Sequence, residues 1–449
     1  MTRRQLLRSA AALATTPGMR AMQAENGRRA ILDRIKEPVF PKRDFDIRHY
    51  GAKAGGTAKC TESITRAIRE CSAAGGGRVM IPEGVYLTGA IHLESNVHLY
   101  LASGSKLLFS TDPADYLPVV YTRFEGTECM NYSPFIYAFE KENIAITGPG
   151  TLDGQAGPDH WWPWARKARS DDRKALVQMG DQEVPVEKRI FGQGHYLRPN
   201  FVQPYRCTNV HLEGFTVVNS PMWELNPVLC RNVIVRGIAI NSHGPNNDGC
   251  DPESSSDVLI ENCDFSTGDD CIAVKSGRNR DGRRVGKPCE NVIITNCRMR
   301  DGHGGVSIGS EVSGGIKSIF TDHCEMSSPN LQRALRIKTN AQRGGTIENI
   351  RFENVKVGQV AEAVIEVDFY YEEGPNGPFK PIVKDVYVAD VTCNKSKYGI
   401  YLRGFPDAPI TGVHIANCTF NNAANGNFFQ NVKDVDLKNV TVNGKAVTL

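Results

Sequence analysis

Apolar residues along this chain fall in short runs with a period of two. One seven-residue phrase built on that period recurs nine times, beginning at Asn209, Asn232, Asp257, Asn291, Ser318, Asn349, Asp385, Gly412 and Asp434. The spacings run from 22 to 36 residues, and two earlier copies start at Asn96 and Asn143. The second residue is always Val or Ile. The fourth is apolar in every copy but one, where Thr321 stands, and the third is usually polar or long. Such alternation predicts a strand with one buried face. The sixth residue is Gly, Asn, Asp or His, suited to a bend and a side-chain hydrogen bond. The seventh is always apolar, and it is cysteine at positions 263, 297, 324 and 418. Those four cysteines are predicted to stack as a column of small buried side chains rather than to form a redox centre.

A single coil cannot bury the apolar face of its strand; stacked coils can, which is the solenoid solution. Strand-and-turn repeats without helical segments predict an all-β fold, a right-handed, single-stranded parallel β-helix. The Leu-x-x-Leu-x-Leu frame of leucine-rich repeats is absent. Solenoid ends need caps. Thr61 to Ala74 is the one convincing amphipathic helix, with Ile64, Ala67, Ile68 and Cys71 on one face, and Gly75-Gly76-Gly77 stops it. It is predicted to cap the N-terminal end, ahead of a strand from Arg78 to Pro82. No linker follows, so residues 25–449 are expected to form one domain. The longest interruption, between Asn143 and Asn209, carries His160-Trp161-Trp162-Pro163-Trp164. Its aromatics suit either a packed loop or one wall of a sugar site.

Residues 1–24 have the features of an export signal. Thr2-Arg3-Arg4-Gln5-Leu6-Leu7 is a twin-arginine start, an apolar stretch follows from Ala10 to Ala14, and small residues near Ala21 and Ala24 suit cleavage. This implies a periplasmic or secreted protein. The formal charge of +3 becomes −1 without these residues, which hold four arginines and no acids. The basic balance therefore belongs to the signal, and no nucleic-acid partner is inferred. No apolar run is long enough for a membrane span. None of the 13 cysteines shows the CxxC spacing of a zinc site.

The candidate chemistry sits at matching phases of successive coils. Asn246-Asn247-Asp248-Gly249, Gly268-Asp269-Asp270-Cys271 and Gly302-His303-Gly304-Gly305 each precede a strand. Aligning Ile272 with Val306 and Leu335, and Val274 with Ile308 and Ile337, turns Arg336 and Lys338 outward. The same alignment sets Asn247 beside Asp269 and His303, and Asp248 beside Asp270. Stacked strands lie about 4.8 Å apart, so three carboxylates, an imidazole and two cations are expected in one surface patch. In a straight strand Asp269 and Asp270 would point to opposite faces, and one would enter the core at a large desolvation cost. A bend that lets both face solvent is therefore expected. Calcium binding or a hydrogen-bonded turn ladder would also use such carboxylates, and a solvated strand face would account for Arg336 and Lys338.

Taken in order, Asn246-Asn247-Asp248, Gly268-Asp269-Asp270-Cys271, Gly302-His303-Gly304 and Arg336-Ile337-Lys338 resemble the polygalacturonase family of glycoside hydrolases, family 28. Asn247 departs from the pattern, where Thr is commoner. The resemblance implies an inverting hydrolase of α-1,4-galacturonosyl linkages in pectin-type polysaccharide. Asp269 would be the general acid, and Asp248 with Asp270 would activate the water. Inversion carries an expected carboxylate spacing of about 6.5–9.5 Å. His303 would tune the acid, and Asn246, Arg336 and Lys338 would bind substrate. Tyr370 resembles a family tyrosine beside the leaving-group subsite. Lys275-Ser276-Gly277-Arg278 and Gly309-Ser310-Glu311 resemble exo-acting bacterial members. No metal, no cofactor and a monomer are expected. A rhamnogalacturonan or xylogalacturonan hydrolase, a pectate lyase and a non-catalytic β-helix are the alternatives.

Overall fold

A computed structural model describes residues 17–167 and 171–449. Its strands stack by coil, and every ladder is parallel except the Val120–Phe124/Thr127–Asn131 hairpin and the terminal Val432–Val442/Lys445–Ala446 pair. The repeated phrase is the stacking unit. Its second residues pair in unbroken register, Ile144 with Val210, Val233, Val258, Val292, Ile319, Ile350, Val386, Val413 and Val435. A one-residue slip would turn every one of these side chains outward.

The corners are set by backbone conformation. All eleven phrase-opening residues are left-handed, with φ between 53° and 64°. Asparagine tolerates this region better than other residues carrying a Cβ. It also bonds to its neighbour: Nδ2 of Asn143, Asn209 and Asn232 each donates to Oδ1 of the asparagine one coil earlier, at 2.9, 2.8 and 2.7 Å. The sixth residues, from Gly214 to Asn439, are left-handed as well.

The predicted cap is present as helix Thr61–Ala73, which buries Ile64, Ala67, Ile68 and Cys71 against the end of the core. All thirteen cysteines are buried and unbridged. Burial pushes the Cys418 thiol up to about 11, consistent with an inert packing role.

The N-terminal segment makes a contact that the repeat alone does not announce. The twin-arginine stretch lies outside the described residues, and the position after Ala24 falls inside a helix, Pro17–Leu32. Past Ala24 the chain crosses the outer face of the coils. Ile31 and Ile35 pack on Ile234, Leu259, Ile293 and Phe320, the third residues of four consecutive phrases. Arg34 pairs with Asp257 at 2.5 Å, and Glu37 pairs with Arg236 at 2.6 Å. No described helix is long and apolar enough to cross a membrane.

Trp161 belongs to the main core, and Trp162 and Trp164 pack against it. Trp162 Nε1 donates to Ser220 O at 2.9 Å. Packing therefore accounts for most of this cluster.

Candidate active site

A second, six-stranded sheet carries the chemistry: Ile272–Val274, Val306–Gly309, Arg333–Lys338, Ala363–Asp368, Tyr398–Arg403 and Asn427–Gln430. Ile272 pairs with Val306 and Val306 with Leu335, while Ser307 pairs with Arg336 and Gly309 with Lys338. The turn before these strands is bonded coil to coil. Asp269 N donates to Asn247 O at 3.2 Å, His303 N to Asp269 O at 2.9 Å, and Gly249 N to Asp270 O at 2.9 Å.

Two small residues are dictated by crowding. A Cβ at Gly302 would lie 2.4 Å from Asp269 O, and one at Gly304 would lie 2.2 Å from Ser307 Oγ and 2.9 Å from Asp270 Oδ1. Asn247 is the clamp of the first turn. Its Oδ1 accepts from Ser242 Oγ and Gly244 N at 2.7 and 2.8 Å, and its Nδ2 donates to Ser220 O and Met222 O at 3.1 and 3.3 Å. Asn246, left-handed at φ 56°, accepts at Oδ1 from Arg198 Nη2 at 2.7 Å.

One oxygen from each of Asp248, Asp269 and Asp270 lies within 4.8 Å of the other two. The chain bends at Gly268 and Asp269, as the adjacent acids require. The expectation of a solvated patch is corrected, however. Asp270 is 0% exposed and Asp248 3%, and Arg336 and Lys338 are buried too. The strand does turn them away from the coil interior, but neighbouring loops roof them. Tyr371 covers the cations, its ring centre 5.5 Å from the Arg336 guanidinium carbon and 5.3 Å from Lys338 Nζ. Only the Asp269 and His303 side chains keep real access, at 18% and 43%.

Tyr370 is not at this cluster's roof. It packs on Phe405 and under the Arg403 guanidinium, 3.9 Å away, whereas its neighbour Tyr371 faces the cations. A register difference of one residue in this turn decides which ring points inward.

The electrostatics separate the acids. Burial alone would raise Asp270, but Lys338, Arg336 and Lys275 outweigh it and hold this carboxyl well below the usual range. Lys338 Nζ lies 2.6 Å from Asp270 Oδ2 and Arg336 Nη1 3.5 Å from Oδ1. Asp248 goes the other way: burial first, then the Asp269 charge, raise it, with Lys275 opposing. Asp270 is thus held firmly as the anion, while Lys275 works against the burial that raises Asp248. His303 Nδ1 bonds Asp269 Oδ1 at 2.9 Å, and that bond raises the imidazole above its ordinary value. Lys275, Glu311, Trp223 and Tyr371 also lie at or beneath this cluster. The sequence gives none of them a place in the cluster: Lys275 follows an apolar strand, and the others stand in loops without a repeat phase.

A parallel β-helix carrying three convergent carboxylates, an imidazole and two cations is the architecture of a carbohydrate hydrolase. Comparison with known proteins agrees. Residues 71–441 match the family model described as glycosyl hydrolases family 28. A probable polygalacturonase of Vitis vinifera is 28% identical over 84% of this chain and 74% of its own length. The exo-poly-alpha-D-galacturonosidase of Dickeya chrysanthemi is 26% identical over 90% and 75%. The crystal structure of a hyperthermoactive exopolygalacturonase from Thermotoga maritima superposes with a TM-score of 0.91, at 43% identity over 94% of this chain and 97% of that one. The chain belongs to glycoside hydrolase family 28.

Proposed function

We propose that the protein is an inverting, exo-acting polygalacturonase that removes galacturonate from the end of pectin-type chains. The observation that carries this reading is the pairing of a sequestered anionic Asp270 with a partly exposed Asp269 held by His303. Asp269 reaches the cleft and protonates the departing glycosidic oxygen. Asp248 and Asp270 grip the attacking water and take its proton. One oxygen of each lies closer to Asp269 than the expected spacing of about 6.5–9.5 Å. A base divided between two carboxylates that hold the water from both sides accounts for the shorter distance.

Arg336 makes only long contacts, 3.5 Å to Asp270 Oδ1 and 3.5 Å to Glu366 Oε1. That leaves donor capacity for a substrate carboxylate. Lys338 adds charge beside it, Asn246 lines the first turn, and Tyr370 stands one residue from the roof.

Exo action is supported by an ion-pair lattice at one flank of the cleft. Arg173, from the long insertion, reaches Glu125 at 2.5 Å and Glu372 at 3.3 Å. Arg278 reaches the same two acids at 3.2 and 3.4 Å, and Arg343 reaches Glu372 at 2.6 Å. The insertion helix of Arg173 and the separate segments of Glu125, Arg278, Arg343 and Glu372 are thereby tied together next to Tyr371. Residues 1–24 serve export by the twin-arginine route to the periplasm or exterior.

The test is incubation with polygalacturonate, followed by chromatography and proton NMR of the first product. Monomer of inverted anomeric configuration is expected. Longer oligomers, retained configuration, or an unsaturated ultraviolet-absorbing product would each refute the corresponding part.

A further inference from the structure

Beneath the catalytic carboxylates lies a layer of buried charge that this hydrolytic scheme does not use. Lys275 follows directly on the strand Ile272–Val274, and its side chain is 3% exposed. Nζ lies 3.3 Å from Glu311 Oε2, 3.5 Å from Asp248 Oδ2 and 3.8 Å from Asp251 Oδ2. It also sits 4.5 Å from the centre of the Trp223 ring. An ammonium this deep persists only with charged partners, and the question is which of them it serves.

The neighbours differ in what else holds them. Glu311 is shared with Arg278 at 3.8 Å and accepts from Ser310 Oγ at 3.1 Å. Asp251 has no hydrogen-bond donor at either side-chain oxygen, and burial together with Asp248 pushes its carboxyl upward. It is therefore the partner best kept neutral. Asp248 Oδ1 also lacks a donor, so Lys275 is the cation in direct reach of Asp248, while Lys338 is spent on Asp270 at 2.6 Å. The other groups facing Asp248 are Asp269, Asp270, Asp251 and Glu224, all acids, with Lys338 farther off.

We propose that Lys275 is a positioning residue that pairs with Asp248 beneath the cleft and draws its carboxylate toward the anion that acts on the attacking water. The inference rests on the hydrolase reading above. Burial and the Asp269 charge push Asp248 upward and Lys275 opposes them, so loss of the ammonium makes this carboxylate harder still to ionise. Glu311 competes for the same ammonium, so its removal acts in the opposite sense.

The experiment is the pH profile of kcat/KM on polygalacturonate for the wild type, Lys275→Met, Lys275→Arg and Glu311→Gln. The acidic limb reports the group that must be ionised in the free enzyme. Removing a cation at this distance is expected to move that limb up by about one pH unit in Lys275→Met, with kcat falling more than KM. Lys275→Arg restores the wild-type limb, and Glu311→Gln moves it down. Limbs that stay fixed, or that move in the same direction in Lys275→Met and Glu311→Gln, overturn the proposal. If circular dichroism shows Lys275→Met unfolded, the direction in Glu311→Gln decides alone. A wild type that releases no reducing ends fails the hydrolase reading, whereas an active enzyme with fixed limbs fails only the role of Lys275.

Discussion

His303 Nδ1 lies 2.9 Å from Asp269 Oδ1, although 34 residues separate the two in the chain. One turn of the β-helix converts that interval into a single strand spacing. The bond raises the imidazole above its ordinary value of 6.5. A group whose value rises on folding stabilises the fold fully below its unfolded value, and that contribution is lost as pH climbs through the folded one. The melting temperature of the wild type should therefore fall more between pH 6.5 and 8 than that of His303→Gln. Parallel melting curves would show that the pair carries no linked proton.

Asp269→Asn keeps the shape of the side chain and removes its transferable proton. General acid catalysis contributes about 100- to 10,000-fold, so kcat should fall by that order while oligogalacturonate binding, followed by calorimetry, stays near wild type. Turnover within a few-fold of normal would remove Asp269 from the acid role.

Arg173→Ala cuts the insertion's link to Glu125 and Glu372. Its side chain is partly exposed, so little change in melting temperature is expected. The product pattern should change instead, with digalacturonate and longer fragments joining the monomer on anion-exchange chromatography. Monomer alone from the variant would place the closing of the cleft elsewhere.

Much of the fold was legible because the coil repeats its own grammar. The second residue of each phrase stacks on the next, from Ile144 to Val435, as the alternation implies. The alignment of Asn247, Asp269 and His303 was likewise legible, since equal phases must stack. Depth was not. Whether Arg336 and Lys338 stand in water depends on the loop that places Tyr371 over them, and that loop has no repeat phase. The N-terminal contact did leave a trace: Ile234, Leu259, Ile293 and Phe320 break the polar habit of the third position in four successive phrases. An apolar outer stripe on one side of a solenoid calls for a cover.

That cover can be tested separately from catalysis. Ile31→Asp puts a charge against Ile234, Leu259, Ile293 and Phe320. Losing the burial of one such side chain costs about 1.5–3 kcal/mol, and the introduced carboxylate adds to it. The melting temperature should drop while kcat on polygalacturonate, measured well below the transition, is unchanged. A stability equal to wild type would mean that the N-terminal segment does not lie on the coils in solution.

The left-handed asparagine corners have a consequence for how this enzyme tolerates change. Asn209 bonds to Asn143 at 2.8 Å across 66 residues, just as Asn232 bonds to Asn209 across 23. A corner therefore registers only its counterpart in the adjoining layer and is indifferent to the length of chain that returns to it. Arcs between corners behave as interchangeable cassettes: a graft that starts and ends at two such corners alters the walls of the cleft and leaves the catalytic floor untouched.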